Sequence, residues 1–146
     1  MKKDFKKAIA TIKKELYKDP KINAAYLFGS YAEGTANENS DIDIGVVLFA
    51  DAKADLYYEG DLLDKFYGAG GFDKVEVLVA NEKSPLFRYN IVSHQKLLFA
   101  KNDDERADFE VESIQDFFEA EPYLELSYQS AIESAEDRLL TRGIKV

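Results

Sequence analysis

Residues Leu27 to Leu48 read LFGSYAEGTANENSDIDIGVVL. An apolar strand, Ala24 to Phe28, stops at Gly29-Ser30, a small and polar spacer of ten residues follows, and a second strand, Asp41 to Phe49, opens with Asp41-Ile42-Asp43. Strand side chains alternate, so Asp41 and Asp43 share one face while Ile42, Ile44, Val46 and Leu48 turn into a core. Two carboxylates on one face repel, and protonation or a cation must relieve them. Oxygen-only ligands suit Mg²⁺ or Mn²⁺, which complete their shells with water and substrate phosphates. Upstream, Gly29 leaves the backbone open to an anion. Ser30 offers a hydroxyl, and a short helix over Ser30 to Glu33 aims amide N–H groups at a phosphate. Ordinary turn chemistry also explains Gly-Ser and Asn-Ser-Asp taken singly, but here an anion-side and a cation-side signal coincide.

Other segments supply layers around this pair of strands. Lys2 to Lys18 carries Phe5, Ile9, Ile12 and Leu16 at helical spacing, with lysines on the other face, which is read either as attracting phosphate or as a solvated face; the helix ends at Asp19-Pro20. Ile22 to Phe28 is the first strand. Ala52 to Tyr67 predicts a helix with Leu56, Leu63, Phe66 and Tyr67 inward, closed by Gly68 to Gly71 as a C-cap. Phe72 to Ala80 predicts a third strand, in which Val75, Val77 and Val79 share one face and Glu76 lies opposite with Leu78. A glutamate between valines in a central strand needs a partner, whereas on an edge strand it would simply face water. Ser84-Pro85 opens a helix to about Ser93; on it Arg88 is read either as a phosphate contact or as a surface ion pair, and His94 as a C-terminal cap residue. Lys96 to Ala100 is a fourth strand. From Asp103 the chain is acidic and helical, with one stripe of Phe109, Ser113, Phe117 and Ala120, a break at Pro122, and a second stripe of Leu124, Tyr128, Ala131, Ile132, Ala135 and Leu139.

Composition narrows the class. A length of 146 residues fits one domain, 1–146, with 103–146 as its C-terminal helical segment. Nine tyrosines and ten phenylalanines support a packed core, and the lack of cysteine excludes disulfides and thiolate metal sites. Apolar runs are strand-length and the basic N-terminus lacks a signal-peptide apolar region, so a cytoplasmic protein off the membrane is expected. A net charge of −9 disfavours direct nucleic-acid binding and fits a basic protein partner.

Gly29-Ser30-x10-Asp41-x-Asp43 resembles the signature of the polymerase β-like nucleotidyltransferase superfamily. The form GSYAEG and the pieces Asn81 and Ser84-Pro85-Leu86 are similar to the minimal nucleotidyltransferases, the MNT antitoxins of HEPN/MNT toxin–antitoxin pairs. The likeness covers Tyr26 to Phe99 well and the rest loosely. It departs at Glu33, where many relatives carry a basic residue. The pattern α-β-α-β-α-β-α-β-α gives an α/β (α+β) class, a small mixed sheet flanked by helices; the nucleotidyltransferase fold itself is what the resemblance implies. It also implies a third acidic ligand at Glu76, often Asp in relatives. Asp41, Asp43 and Glu76 would then be catalytic, holding two Mg²⁺ ions, while Gly29 and Ser30 bind the phosphates of ATP. The implied reaction moves AMP from ATP to a tyrosine hydroxyl of a cognate HEPN ribonuclease toxin and releases pyrophosphate, with toxin and antitoxin forming a hetero-oligomer. The alternatives are a small-molecule, antibiotic-type adenylyltransferase, which usually adds a sizeable helical domain, and a non-catalytic antitoxin that acts by binding alone.

Overall fold

The computed structural model describes residues 2–37, 39–70, 74–93 and 95–143. Helix α1 (Lys2–Tyr17) precedes strand β1 (Ile22–Phe28), the short helix α2 (Ser30–Glu33), β2 (Ile42–Leu48), α3 (Tyr58–Gly70), β3 (Val75–Val79), a 3-10 turn (Ala80–Glu82), α4 (Pro85–Ser93), β4 (Lys96–Ala100) and α5 (Asp103–Thr141). The sheet runs β3-β2-β1-β4; β1 is antiparallel to β2 and β4, and β2 is parallel to β3. This is the mixed α/β architecture expected. The readings at Gly71, at the Phe72 strand start and at His94 lie outside the described residues.

Each face of the sheet carries its own core. On one face Ile42, Ile44, Val46 and Leu48 of β2 and Val75, Val77 and Val79 of β3 meet Ile12 and Leu16 of α1 and Tyr58, Leu62 and Phe66 of α3. Ile12 and Leu16 have no exposed surface, and each such side chain contributes roughly 1.5–3 kcal/mol by leaving water. On the other face Ala24 and Tyr26 of β1 and Val47 of β2 pack with Ile91 of α4 and Phe109 of α5. Period-two alternation thus decides which face every β2 residue addresses.

Buried polar groups tie the layers together, and every buried side-chain polar atom among the described residues has a partner. Asn23, fully buried, donates from Nδ2 to the Asn102 carbonyl at 3.0 Å and accepts the Asn102 N–H at Oδ1 at 2.7 Å. Asn102 in turn caps α5, its Oδ1 accepting the Glu105 N–H at 3.1 Å. Tyr58 donates its hydroxyl to Asp19 Oδ2 at 2.7 Å, and burial together with that bond pushes the phenol pKa up.

Three expectations change. Helix α3 starts at Tyr58, not Ala52: Asp55 Oδ1 takes the Tyr57 N–H at 2.9 Å, a local turn that competes with helix, so Leu56 and Tyr57 are exposed. Its inward row is Tyr58, Leu62 and Phe66, while Tyr67 is exposed, and the helix runs on to Gly70, so Gly68 is helical and not part of a C-cap. Pro122 does not break the C-terminal helix; α5 continues through it for 39 residues. Position 122 is exposed, so water can satisfy the carbonyl that loses its intrahelical donor. Finally, β3 is an edge strand and Glu76 is exposed, which removes the burial penalty expected of a central position. No helix among the described residues is long and apolar enough to cross a membrane.

Candidate active site

The turn from β1 into α2 is made by Gly29 at φ 71° and ψ −154°, a region essentially restricted to glycine. The backbone doubles back at once: the amides of Ala32 and Glu33 both donate to the Gly29 carbonyl at 3.1 Å. As the first residues of a helix, Ser30 and Tyr31 find no intrahelical acceptor for their own N–H groups. Tyr31 stacks on Phe5 of α1, ring centroids 4.4 Å apart, which fixes α2 to the body of the fold.

Asp43 faces this turn. It pairs with Phe28 across the β1–β2 ladder and lies on the face opposite Ile42 and Ile44. A Cβ placed on Gly29 would overlap Asp43 Oδ2 and lie 3.1 Å from Asp43 Cγ. Glycine at 29 is therefore needed twice, for its dihedrals and for the carboxylate beside it. Sequence reasoning assigned it a different task, keeping the backbone open to an anion; no local pattern signals a side chain arriving from β2.

The parallel β2–β3 register sets Glu76 beside Asp43, on the same face. Asp41, exposed, precedes β2 by one residue and has the parity of Asp43. Burial first, then the charges of Glu76 and Asp41, push the Asp43 carboxyl up to about 6. The fold therefore gathers the three acidic residues singled out in the sequence into one electrostatic neighbourhood. Among the described residues no group of three or more His, Cys, Asp or Glu side chains is placed to hold a metal ion. The donor set nevertheless fits Mg²⁺ or Mn²⁺: it is all oxygen, it is mutually repulsive, and these ions take part of their shell from water and phosphate.

A cavity of about 340 Å³ opens beside Gly29, lined by Phe28, Glu33, Phe87, Asn90 and Ile91. Phe28, Phe87 and Ile91 belong to the same sheet face as Asp43, so the cavity adjoins the carboxylates. Phe87, Asn90 and Ile91 come from α4, whose start is capped by Ser84 Oγ accepting the Phe87 N–H at 3.3 Å. Helical periodicity alone gave no reason to link them to Gly29. Larger space, about 570 Å³ around Leu48, Asn81, Glu105 and Glu112, lies at the opposite end of β2 from Asp43. Arg88 makes the ion pair: Nη2 lies 2.9 Å from Asp116 Oδ2, and Nε donates to the Lys83 carbonyl. Asn81 accepts the Leu48 N–H at 2.8 Å, and Glu59 of α3 accepts the Val79 N–H at 2.9 Å, anchoring β3 and with it Glu76.

The family described as polymerase beta, nucleotidyltransferase matches residues 10–104. A protein adenylyltransferase MntA of Shewanella oneidensis is 36% identical over 86 residues, 59% of this chain and 60% of that protein. Another, from Aphanizomenon flos-aquae, is 32% identical over 98 residues, 62% of this chain and 65% of its own. The match thus spans less than two thirds of either relative. A crystal structure of a toxin–antitoxin with AMP-PNP contains a chain that superposes with a TM-score of 0.67 at 28% identity, covering 87% of this chain and 97% of the other.

Proposed function

The chain belongs to the polymerase β nucleotidyltransferase family, and on that premise we propose that it moves AMP from ATP to a tyrosine hydroxyl of a HEPN toxin partner, releasing pyrophosphate. One observation carries this reading: a glycine-initiated helix start meets Asp43 on the sheet face that also holds Glu76. Relatives named protein adenylyltransferase, and a neighbour solved as a toxin–antitoxin with AMP-PNP, support it. The protein would act as a cytoplasmic antitoxin in a hetero-oligomer with the toxin, its partner a protein rather than a nucleic acid.

In this reading Gly29 lets the polyphosphate reach the backbone, and the first amides of α2 and the Ser30 hydroxyl hold the β- and γ-phosphates. Asp41, Asp43 and Glu76 would hold two Mg²⁺ ions, with Mn²⁺ as a substitute. When bound, the ions supply charge stabilisation to the triphosphate and lower the pKa of the acceptor hydroxyl. Asp43 would hold an ion as the carboxylate, the form that predominates above a pH of about 6. Glu76, the exposed carboxylate on the edge strand, is open to the acceptor and takes part in removing its proton. The acceleration comes from positioning and electrostatics, with no covalent enzyme intermediate.

Incubating the purified protein with labelled ATP, MgCl₂ and the product of its neighbouring gene tests the reading. The expected result is label on a tyrosine of that partner, dependent on Mg²⁺ and lost in Asp43→Asn. Tight binding without transfer would establish an antitoxin that acts by binding alone. Label appearing only on a small-molecule hydroxyl would establish the antibiotic-type activity instead.

A further inference from the structure

Helix α5 continues well past its packing on the body. Of its 39 residues only Phe109 and Ser113 are buried, and from Glu121 to Thr141 nearly every residue is exposed. Part of the apolar surface of that helix follows one line, while Tyr123, Leu126 and Leu140 lie off it. Phe109, Ser113 and Phe117 are followed eleven residues on by Ala120, Leu124 and Tyr128, and eleven further by Ala131, Ala135 and Leu139. An eleven-residue period is three helical turns with a small drift, so all nine positions lie on one seam. Its first third is closed within the chain: Phe109 joins the core of the α4 face, Ser113 is buried, and Phe117 stacks on Tyr89 with centroids 4.0 Å apart. The remaining two thirds continue the same seam without a cover, with Leu124 41% and Tyr128 67% exposed.

Charge says what kind of surface can cover it. Residues 1–102 hold fifteen acidic and fifteen basic side chains, whereas residues 103–146 hold thirteen acidic and four basic, so the entire net charge of −9 belongs to this segment. At 100° per residue, Glu121, Glu125 and Glu136 line one flank of the open seam, and Ser127, Ser130, Ser134 and a single basic residue, Arg138, the other. A second copy would set acidic flank against acidic helix and be repelled; an anionic membrane or nucleic acid is disfavoured for the same reason. A groove with an apolar floor and basic residues along one wall complements it.

We propose that the distal half of α5, Ala120 to Thr141, is the docking helix for the toxin: its seam seats in an apolar groove of that protein, and Glu121, Glu125 and Glu136 meet lysines or arginines on one wall. This rests on the reading that a toxin is the partner, and it adds the surface and its chemistry.

The experiment measures binding of the full-length protein to the purified neighbouring-gene product, together with AMP transfer, far-UV circular dichroism and sedimentation. The pair Leu124→Asp/Tyr128→Asp is expected to weaken binding about 100-fold, as loss of two central anchors does. Leu126→Asp, on the opposite side of the helix, should stay within about 2-fold, as peripheral contacts do. The triple reversal Glu121→Lys/Glu125→Lys/Glu136→Lys should slow association about 10-fold in low salt and flatten its salt dependence. Wild-type binding by the seam pair, with helicity retained, would overturn the docking helix and leave the toxin reading intact. An equal loss from Leu126→Asp would overturn the assignment of the face. Failure of the wild type itself to bind or modify the toxin would overturn both readings. Self-association broken by the seam pair would make a second copy the occupant, and so overturn the one proposed.

Discussion

Gly29 and Asp43 share a space that admits only one side chain. The carboxylate of Asp43 stands where a Cβ on residue 29 would be, and the Gly29 backbone at φ 71° already excludes ordinary residues. The phosphate end and the metal end of the motif, separated in sequence by a loop, are thereby one interlocked unit.

Gly29→Ala is accordingly expected to destabilise the protein by about 1–3 kcal/mol from the dihedral alone, with a further loss from displacement of Asp43. Urea unfolding of Gly29→Ala, Asp43→Ala and the double variant separates the two terms. Removing the Asp43 carboxylate should recover the overlap part of the loss and none of the dihedral part, giving a coupling of at least roughly 0.5 kcal/mol. Strict additivity would mean that the two residues do not constrain each other.

The raised pKa of Asp43 makes stability fall with pH. Its carboxyl titrates at about 6 in the fold against an ordinary value of 3.8, so the folded state binds more protons between those limits. The contribution is fully present below about pH 3.8 and is lost as pH rises through about 6. Because the group is partly open to solvent, the effect is discounted to roughly 1 kcal/mol, or about 2–4 °C in Tm. In metal-free buffer Asp43→Asn should remove this component and melt higher than wild type at pH 7.5. A difference between the two melting profiles that does not change from pH 4 to 7.5 would remove the electrostatic assignment.

Much of this was legible because two periods carry it. Alternation through Asp41–Leu48 told which side chains are core and which face the chemistry, and Ser84-Pro85 marked α4 to the residue. Register was not legible: nothing local says that Glu76 stands beside Asp43 rather than Ile44, since that depends on parallel pairing with a strand across an intervening helix. Leu56 misled because an apolar residue in helical phase was outcompeted by the Asp55 turn. Pro122 misled because its helix runs through solvent, where water can take the place of the lost hydrogen bond. Phe87 and Asn90 reached the candidate site only through tertiary packing of α4.

Asn23 holds the start of α5 against β1 through both ends of one amide. Asn23→Ala leaves the Asn102 N–H and carbonyl without those partners in a buried setting and should destabilise by about 2–3 kcal/mol. Hydrogen exchange checks the origin: amides of the first turns of α5 should lose protection more than those of α1. Uniform loss across the chain would show that Asn23 serves global packing and not the anchoring of α5.

Glu76 gives the sharpest separation between a catalytic and a merely exposed carboxylate. It is exposed on an edge strand, so a surface role predicts that Glu76→Gln changes neither stability nor turnover. Its register beside Asp43 predicts otherwise. Losing its charge removes the foremost Coulombic contribution to the high Asp43 pKa, so the Asp43 titration followed by NMR should move down from about 6 in Glu76→Gln. If Glu76 also helps to hold a metal ion, turnover should fall by orders of magnitude while ATP affinity, supported by α2, changes little, because such an ion would supply its charge mainly in the transition state. Glu76→Asp keeps the charge with a shorter reach and should retain partial activity together with a raised Asp43 pKa. The two readouts decide between roles. A shifted Asp43 pKa with unchanged turnover leaves Glu76 as an electrostatic neighbour only, and catalysis then rests on Asp41 and Asp43. Lost turnover with an unshifted Asp43 pKa would mean that Glu76 acts on the acceptor and not through the carboxylate pair.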